Sequence, residues 1–376
     1  MDRPLPSATV SATTPADPPP ASPITPPTTP PTTPPIAADL PQPPPHNLTG
    51  VDFATPIPRP AGVGEVIDCH SHLFAAGHAA DWFAAADRFG IDHTITMTPL
   101  EEVLRLQNGP FGAGGRLSFI NVPSWRPDHP DPAAMYAVDP FLRRLEAFHN
   151  LGVRVVKIHQ SPGTVAKHGM AIGSDHHRTL LDAIRASGSV IMSHIGDPGR
   201  WYAGKYAEEP ETFGTQDEHY SAWERLLEDY RGTPWWGAHL GGRPEDLGYL
   251  DSLLGRFPDL WLDLSATTWM VRELSLQPEA ARAFVTRWQD RLMWGSDQVS
   301  IDPTDMSGRD ADFFASRWWT HRTLWESTYR GESPIRDPAM EGGRAPLVGL
   351  DLPTDVLGKL YGGNVRRLLA SVGVTL

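Results

Sequence analysis

From residue 65 onward, short runs rich in β-branched and aromatic residues alternate with longer stretches whose apolar positions recur every three or four residues. The runs are EVIDCHSH, IDHTITMTP, RLSFINVPS, VRVVKIHQS, SVIMSH, PWWGAHLGG, LWLDLSAT and DRLMWGSD. Several are apolar on both faces, the pattern of parallel strands covered by helices. Between them, HAADWFAAADRFG, AMYAVDPFLRRLEAFHNLG, DHHRTLLDAIRASG, SAWERLLEDYRG, GGRPEDLGYLDSLLGRF and QPEAARAFVTRWQD carry helical periodicity. Glycine closes several of them, as a helix C-terminus favours. The second unit is the weakest, because LEEVLRLQNG allows only a short helix. Strand followed by helix, repeated over roughly 250 residues, predicts an α/β fold of the (β/α)8 TIM-barrel type. Two more helical segments follow the eighth run, RDADFFASRWWTHRTLWESTYRG and PTDVLGKLYGGNVRRLLASVG. The tryptophan-rich first one is expected either to cover the barrel or to form a homodimer interface.

This pattern does not reach the N-terminus. The first 50 residues hold 17 of the 39 prolines and almost nothing apolar enough to build a core. Residues 1–55 are therefore expected to form a disordered, Pro-rich arm, a spacer or a ligand for a proline-binding module. Residues 56–376 are expected to form one barrel domain. The formal charge of −13 argues against non-specific binding to nucleic acid or an anionic membrane. No run of 18 apolar residues suggests a membrane span, and MDRPLPSATV lacks the apolar stretch of a secretory signal. A single cysteine, Cys69, excludes an intrachain disulfide and fits a reducing cytoplasm. It lies between Asp68 and His70, and strand alternation makes it a packing residue facing away from the two histidines that follow it, His70 and His72.

Those histidines change the picture. His70 and His72 stand two apart in the first run and should share a face. The fourth run ends with Lys157 and His159, the fifth with His194, the sixth with His239 and the eighth with Asp297. In a TIM barrel the C-terminal strand ends carry the chemistry. Five of 15 histidines and an aspartate at those ends point to a divalent metal. His70, His72, His194 and Asp297 could hold it, with a water in the remaining position. His239 could then move a proton, or Asp297 could act as the base. A lone cysteine excludes a zinc deaminase of the type that holds its metal with paired cysteines.

DCHSHLF, SHIGDP, AHLGG, WGSD and the closing YGGNVRRLL together resemble the amidohydrolase superfamily, specifically amidohydrolase family 2. That branch includes metal-dependent hydrolases and decarboxylases of the aminocarboxymuconate-semialdehyde type, and the resemblance covers roughly residues 65–372. It implies that His70, His72, His194 and Asp297 are metal ligands and that Asp297 also shuttles a proton. It implies that His239 assists catalysis when one metal is bound, or binds a second metal when two are. Lys157 would be the bridging lysine of a two-metal site. With one metal, zinc or alternatively manganese or iron, His159 would stand behind the ligands or touch substrate. Asn364 would cap the last helix.

Specificity is expected in the loops after strands three, five and seven. They carry Trp125, the long insertion GDPGRWYAGKYAEEPETFGTQDEHY and Arg272; Arg243 follows strand six. Arg243 and Arg272 are candidates for gripping a substrate carboxylate, with Trp125 beside it. Arg272 could instead simply pair with Glu273. The insertion is long enough to form a lid. The leading expectation is a hydrolase that turns a metal-activated water on an amide, ester or lactone of a small carboxylate-bearing molecule. A metal-dependent non-oxidative decarboxylase is the alternative. A non-catalytic metal-holding barrel, whose arm docks a partner, is the third.

Overall fold

Eight short strands run parallel in a computed structural model of the chain, which describes residues 44–55, 57–112, 115–123, 132–302 and 307–376. They are β1 Ile67–Ser71, β2 His93–Met97, β3 Leu117–Ile120, β4 Val155–His159, β5 Val190–His194, β6 Trp235–Gly237, β7 Leu260–Asp263 and β8 Leu292–Met293. Neighbours pair in the orders β1-β2-β3 and β4-β5-β6-β7-β8. Backbone bonds close both remaining seams. Asn121 N donates to Val155 O and Lys157 N to Asn121 O, joining β3 to β4. Cys69 N donates to Trp294 O and Asp297 N to His70 O, joining β1 to β8. The sheet is a closed barrel with no free edge.

A helix follows each strand on the outside, as the sequence pattern predicts. The barrel helices are Ala79–Arg88, Leu100–Gln107, Val138–Asn150, Asp175–Ala186, Gln216–Asp229, Leu247–Arg256, Pro278–Trp288 and Ala311–Glu326. Their starts are set by local chemistry. Ser174 Oγ accepts from His177 N, Asp310 accepts from Phe313 N, and Thr215 with Glu218 completes a reciprocal capping box. Each helix turns an apolar stripe inward; in the first, Trp82, Phe83 and Ala86 are buried.

The tryptophan-rich helix Ala311–Glu326 covers the barrel wall and is buried on most sides. Trp318 and Phe314 lie within 5.7 and 4.9 Å of the Trp82 ring, and Arg322 donates to the carbonyls of Ile57, Pro58 and Phe89. A fully buried arginine is tolerable because Glu326 also pairs with it. Beyond this helix lies a small antiparallel pair, Arg330–Glu332 with Pro346–Val348.

Inside the barrel, Ile67, Cys69, Met97, Val155, Met192, Trp236 and Met293 form one apolar plug. Val365, Leu368 and Leu369 of the last helix, Asn364–Ala370, pack against it. Asn364 does not cap that helix. Its amide donates to the carbonyls of Gln289 and Leu292, pinning the helix to the start of β8. Cys69 is buried as expected, but not on the far side of the sheet. The pairing of β1 with β2 shifts between Asp68 and Ser71, an irregularity of the bulge kind that re-aims side chains. Cys69 therefore joins the inner plug, and His70 also reaches the interior, beside Lys157.

Candidate metal centre

The shift in β1 and the sharp turn after β8 bring the first and last strands together at one end of the barrel. Gly295 is required there, because a Cβ at that position would lie 2.6 Å from the Cβ of His70. Asp297 then adopts a left-handed backbone, φ 57°, while its N–H bonds His70 O. A non-glycine residue held this way costs energy and is common at functional sites. His239 is held the same way after β6, also with φ 57°.

The side chains converge. Asp297 Oδ1 lies 3.2 Å from His70 Nε2 and 3.1 Å from His72 Nε2, and Oδ2 lies 3.9 Å from His239 Nε2. Lys157 Nζ approaches His70 Nε2 at 3.4 Å. His194 joins the group through its ring, 4.7 Å from that of His239 and 4.3 Å from that of His159. Its Nε2 is turned instead to Asp197 Oδ1, 3.2 Å away. The structure thus brings His70, His72 and Asp297 together as a potential ligand triad, with His239 and Lys157 alongside. His194 and His159 stand at its border.

Asp263 at the end of β7 was given no role by sequence reasoning, yet it organises the site. Its Oδ2 accepts from His70 Nδ1 at 2.8 Å and from Trp236 Nε1 at 2.7 Å. Its Oδ1 accepts from the backbone N–H groups of His239 and Ser265 and from the Ser265 hydroxyl. These contacts hold its carboxyl far below the ordinary carboxylate range despite complete burial, with His70 the chief favourable neighbour. The one signal in the sequence was the DLS after the seventh strand, an acid at a strand end.

This network fixes the imidazole tautomers. The Ser265 hydroxyl has one proton and gives it to Asp263, so its oxygen accepts from His239 Nδ1 at 2.7 Å. His70 Nδ1 likewise donates, to Asp263. In its neutral form each ring then leaves its Nε2 lone pair facing the Asp297 carboxylate; against burial and the Lys157 charge, Asp263 and Asp297 raise the His70 pKa, so a cation at its Nε2 takes the place of a proton. His72 Nδ1 is buried without a partner. Burial, followed by the neighbouring histidines, pushes His239 well below its ordinary pKa, so it is neutral. Burial alone pulls the Lys157 ammonium down to about 8, against the charges of Asp263 and Asp297. Acceptor atoms outnumber donors at Asp297, and a divalent cation is the group that such a donor set fits.

The residues expected to hold substrate fare differently. Trp125 lies outside the described residues. Arg272 is fully buried and forms ion pairs with Glu273 and Asp337, so it cannot reach a ligand. Arg243 pairs with Asp246 at 2.9 Å and lies against the rings of Tyr220 and Tyr249, in the helical layer. Neither serves as a substrate clamp in this arrangement. In the insertion after β5, Trp201, Tyr202 and Tyr206 pack against one another, and the Tyr206 hydroxyl donates to Asp197. Next to His72 and Asp297 opens a cavity of about 410 Å³, lined among others by Phe74, Trp269, Ile301 and Phe313.

Comparison with solved structures finds long but distant matches. A candidate 2-pyrone-4,6-dicarboxylic acid hydrolase of Pseudomonas putida is 16% identical, covers 82% of this chain and 98% of its own, and has a TM-score of 0.48. A 5-carboxyvanillate decarboxylase of Novosphingobium aromaticivorans, complexed with manganese and a nitrobenzoic acid, is 13% identical over 85% of this chain and 99% of its own, at a TM-score of 0.45. A 4-oxalomesaconate hydratase of Rhodopseudomonas palustris is 12% identical over 82% and 96%, at 0.42. Comparison with curated proteins gives no match. A family model described as amidohydrolase matches residues 67–370, the whole barrel from β1 to the last helix. The chain belongs to this amidohydrolase family, amidohydrolase family 2.

Proposed function

We propose that this chain is a metal-dependent hydrolase that opens an amide, ester or lactone. One observation carries the reading: two imidazole nitrogens each lie within 3.2 Å of one carboxylate oxygen, and the hydrogen bond from the first histidine's Nδ1 to Asp263 turns its Nε2 inward. His70, His72 and Asp297 would hold the ion, with His194 completing the set if its ring turns from Asp197. The chemistry a divalent ion supplies in such a site is Lewis acidity and a water that ionises near neutral pH. Zinc suits these ligands, and manganese or iron are the alternatives.

The chain's own groups supply the rest. His239, neutral and with Nδ1 committed to Ser265, turns Nε2 toward Asp297 and would serve there as a proton acceptor or as a partner for a developing oxyanion. Asp297 Oδ2 lies 3.9 Å from that nitrogen, within reach of a shared water. Lys157, buried beside His70, adds a positive charge or, once neutral, a further ligand.

The test is metal content in protein purified without added metal, beside a His70→Ala, His72→Ala variant. About one ion per chain in the parent and none in the variant supports the reading. About two ions would give Lys157 and His159 a second site. Absence of binding after supply of zinc, manganese and iron sinks the metal reading. With a metallated parent, a screen of esters, lactones and amides then separates hydrolysis from release of CO2, which would mark a decarboxylase.

A further inference from the structure

Asp68, on β1 just before the first histidine, is 0% exposed. Among the described residues its hydrogen bonds all come from uncharged groups. A carboxylate buried without a cation is costly unless donors surround it, and four do. Ser296 N donates to Oδ1 at 2.9 Å and Ser296 Oγ to Oδ2 at 2.6 Å. Trp318 Nε1, from the tryptophan-rich helix Ala311–Glu326, donates to Oδ2 at 3.0 Å. The fourth donor, His70 N, stands 3.4 Å from Oδ1. An asparagine could not accept all four, because half of its amide is itself a donor.

Two of the four bonds come from one residue, and that residue immediately precedes Asp297. Ser296 is held elsewhere too. Thr267 Oγ1 donates to its carbonyl at 3.0 Å, and its hydroxyl, while donating to Asp68, accepts from Gln298 N at 3.3 Å. The turn after β8 is thus gripped just where the backbone enters its left-handed step, φ 57° at Asp297. A backbone strained in this way persists only where its surroundings over-determine it. The bond from Asp297 N to His70 O fixes one side of the step, and Asp68 fixes the other through Ser296. Being fully buried, Asp68 touches no ligand, so its influence on the cluster passes through Ser296.

We propose that Asp68 is a second positioning residue of the cluster, beside Asp263: by gripping both the N–H and the hydroxyl of Ser296, it sets where the Asp297 carboxylate stands relative to His70 and His72. This deepens the metal reading and rests on it for what Asp297 then does. The two donors to Oδ2 divide between two effects. The Ser296 hydroxyl carries the placement of Asp297, whereas Trp318 Nε1, on the helix outside the barrel, contributes to stability alone.

Two readouts on the full-length chain test this, and neither is activity. The first is zinc affinity against a chelator in the parent, Asp68→Asn, Ser296→Ala and Trp318→Phe. Asp68→Asn and Ser296→Ala are expected to weaken binding by about tenfold or more, the usual cost of losing support behind a ligand. Trp318→Phe is expected to lower the melting temperature and keep the parent's affinity. The second readout uses the metal-free chain: the side-chain nitrogen NMR signals of His70 and His72 in histidine-labelled protein, assigned with His70→Ala and His72→Ala. Asp297→Asn supplies the reference for a cluster without its carboxylate. Asp68→Asn and Ser296→Ala should move both signals toward that reference, and Trp318→Phe should not. Ser296→Ala keeps the backbone bond to Asp68, so it also covers an Asp68→Asn chain that folds poorly. Parent-like affinity and signals in Ser296→Ala and Asp68→Asn overturn the assignment. An equal loss in Trp318→Phe overturns it too, because Asp68 would then serve stability only. A parent that takes up no metal ends the metal reading, and the imidazole signals of the metal-free chain then uphold or overturn Asp68 by themselves.

Discussion

Asp263 concentrates more of the site's geometry than any predicted ligand. Five donors point at its two oxygens: His70 Nδ1, Trp236 Nε1, the Ser265 hydroxyl and two backbone N–H groups. Asp263→Asn would replace one acceptor oxygen by a donor and remove the charge that orients His70. The expected outcome is a metal affinity lower by roughly 10–100-fold, the usual cost of losing a carboxylate behind a ligand histidine. Stability should fall by about 2–4 kcal/mol, because buried donors lose their partner. Metal titration against a chelator and denaturant unfolding measure the two effects. An unchanged affinity with the parent's stability would show that His70 needs no such support.

At the scale of elements, the helix Asp175–Ala186 ties its start to one imidazole. Ser174 Oγ accepts from His177 N, while His177 Nδ1 accepts from Gly173 N at 3.1 Å. Burial, and then the charges of His168, Arg178 and His176, bring His177 down to about 3. The unfolded chain takes up this proton near pH 6.5 and the folded one does not, so stability falls as pH drops from 6.5 toward 3. By pH 4.5 the loss is on the order of 2 kcal/mol. His177→Asn keeps an acceptor near the Nδ1 position and should flatten this slope, read from denaturant midpoints at pH 7 and 4.5; parallel slopes in parent and variant would refute it. Element order was the most legible feature of the sequence, because β-branched runs and helical stripes follow directly from what each side packs against. His70, His72, His239 and Asp297 were legible because strand ends in a barrel share one rim. Asp263 was not, since its partners, Trp236 and Ser265, are recognisable only once β6 and β7 are adjacent. For Arg272 the alternative read from sequence, pairing with Glu273, is the one found, and the distant Asp337 joins it; Arg243 is paired with Asp246, a partner the sequence reading did not consider.

At the scale of the whole molecule, the question is where the domain begins. Composition places the boundary after residue 55, whereas the compact unit runs from Pro43 to Leu376. Between those positions Leu48 and Phe53 are buried, 8% and 3% exposed, and Asn47 closes a turn through both its amide and its carbonyl. Leu48 N donates to Pro334 O, Arg336 N to Pro45 O and Arg88 to Phe53 O, so this stretch is tied to the first barrel helix and to the segment after the tryptophan-rich helix. Proline content hid this, because the anchoring residues are few and most of their bonds are backbone bonds. Removing residues 1–42 should leave thermal stability and metal content unchanged. Removing residues 1–55 should cost about 2–4 kcal/mol, the burial of one leucine and one phenylalanine offset by the entropy of ordering the strap. Melting curves of the two truncations beside the full chain decide it. If both melt with the parent, the strap adds nothing to the barrel; if both melt early, the first 42 residues also contribute to its stability.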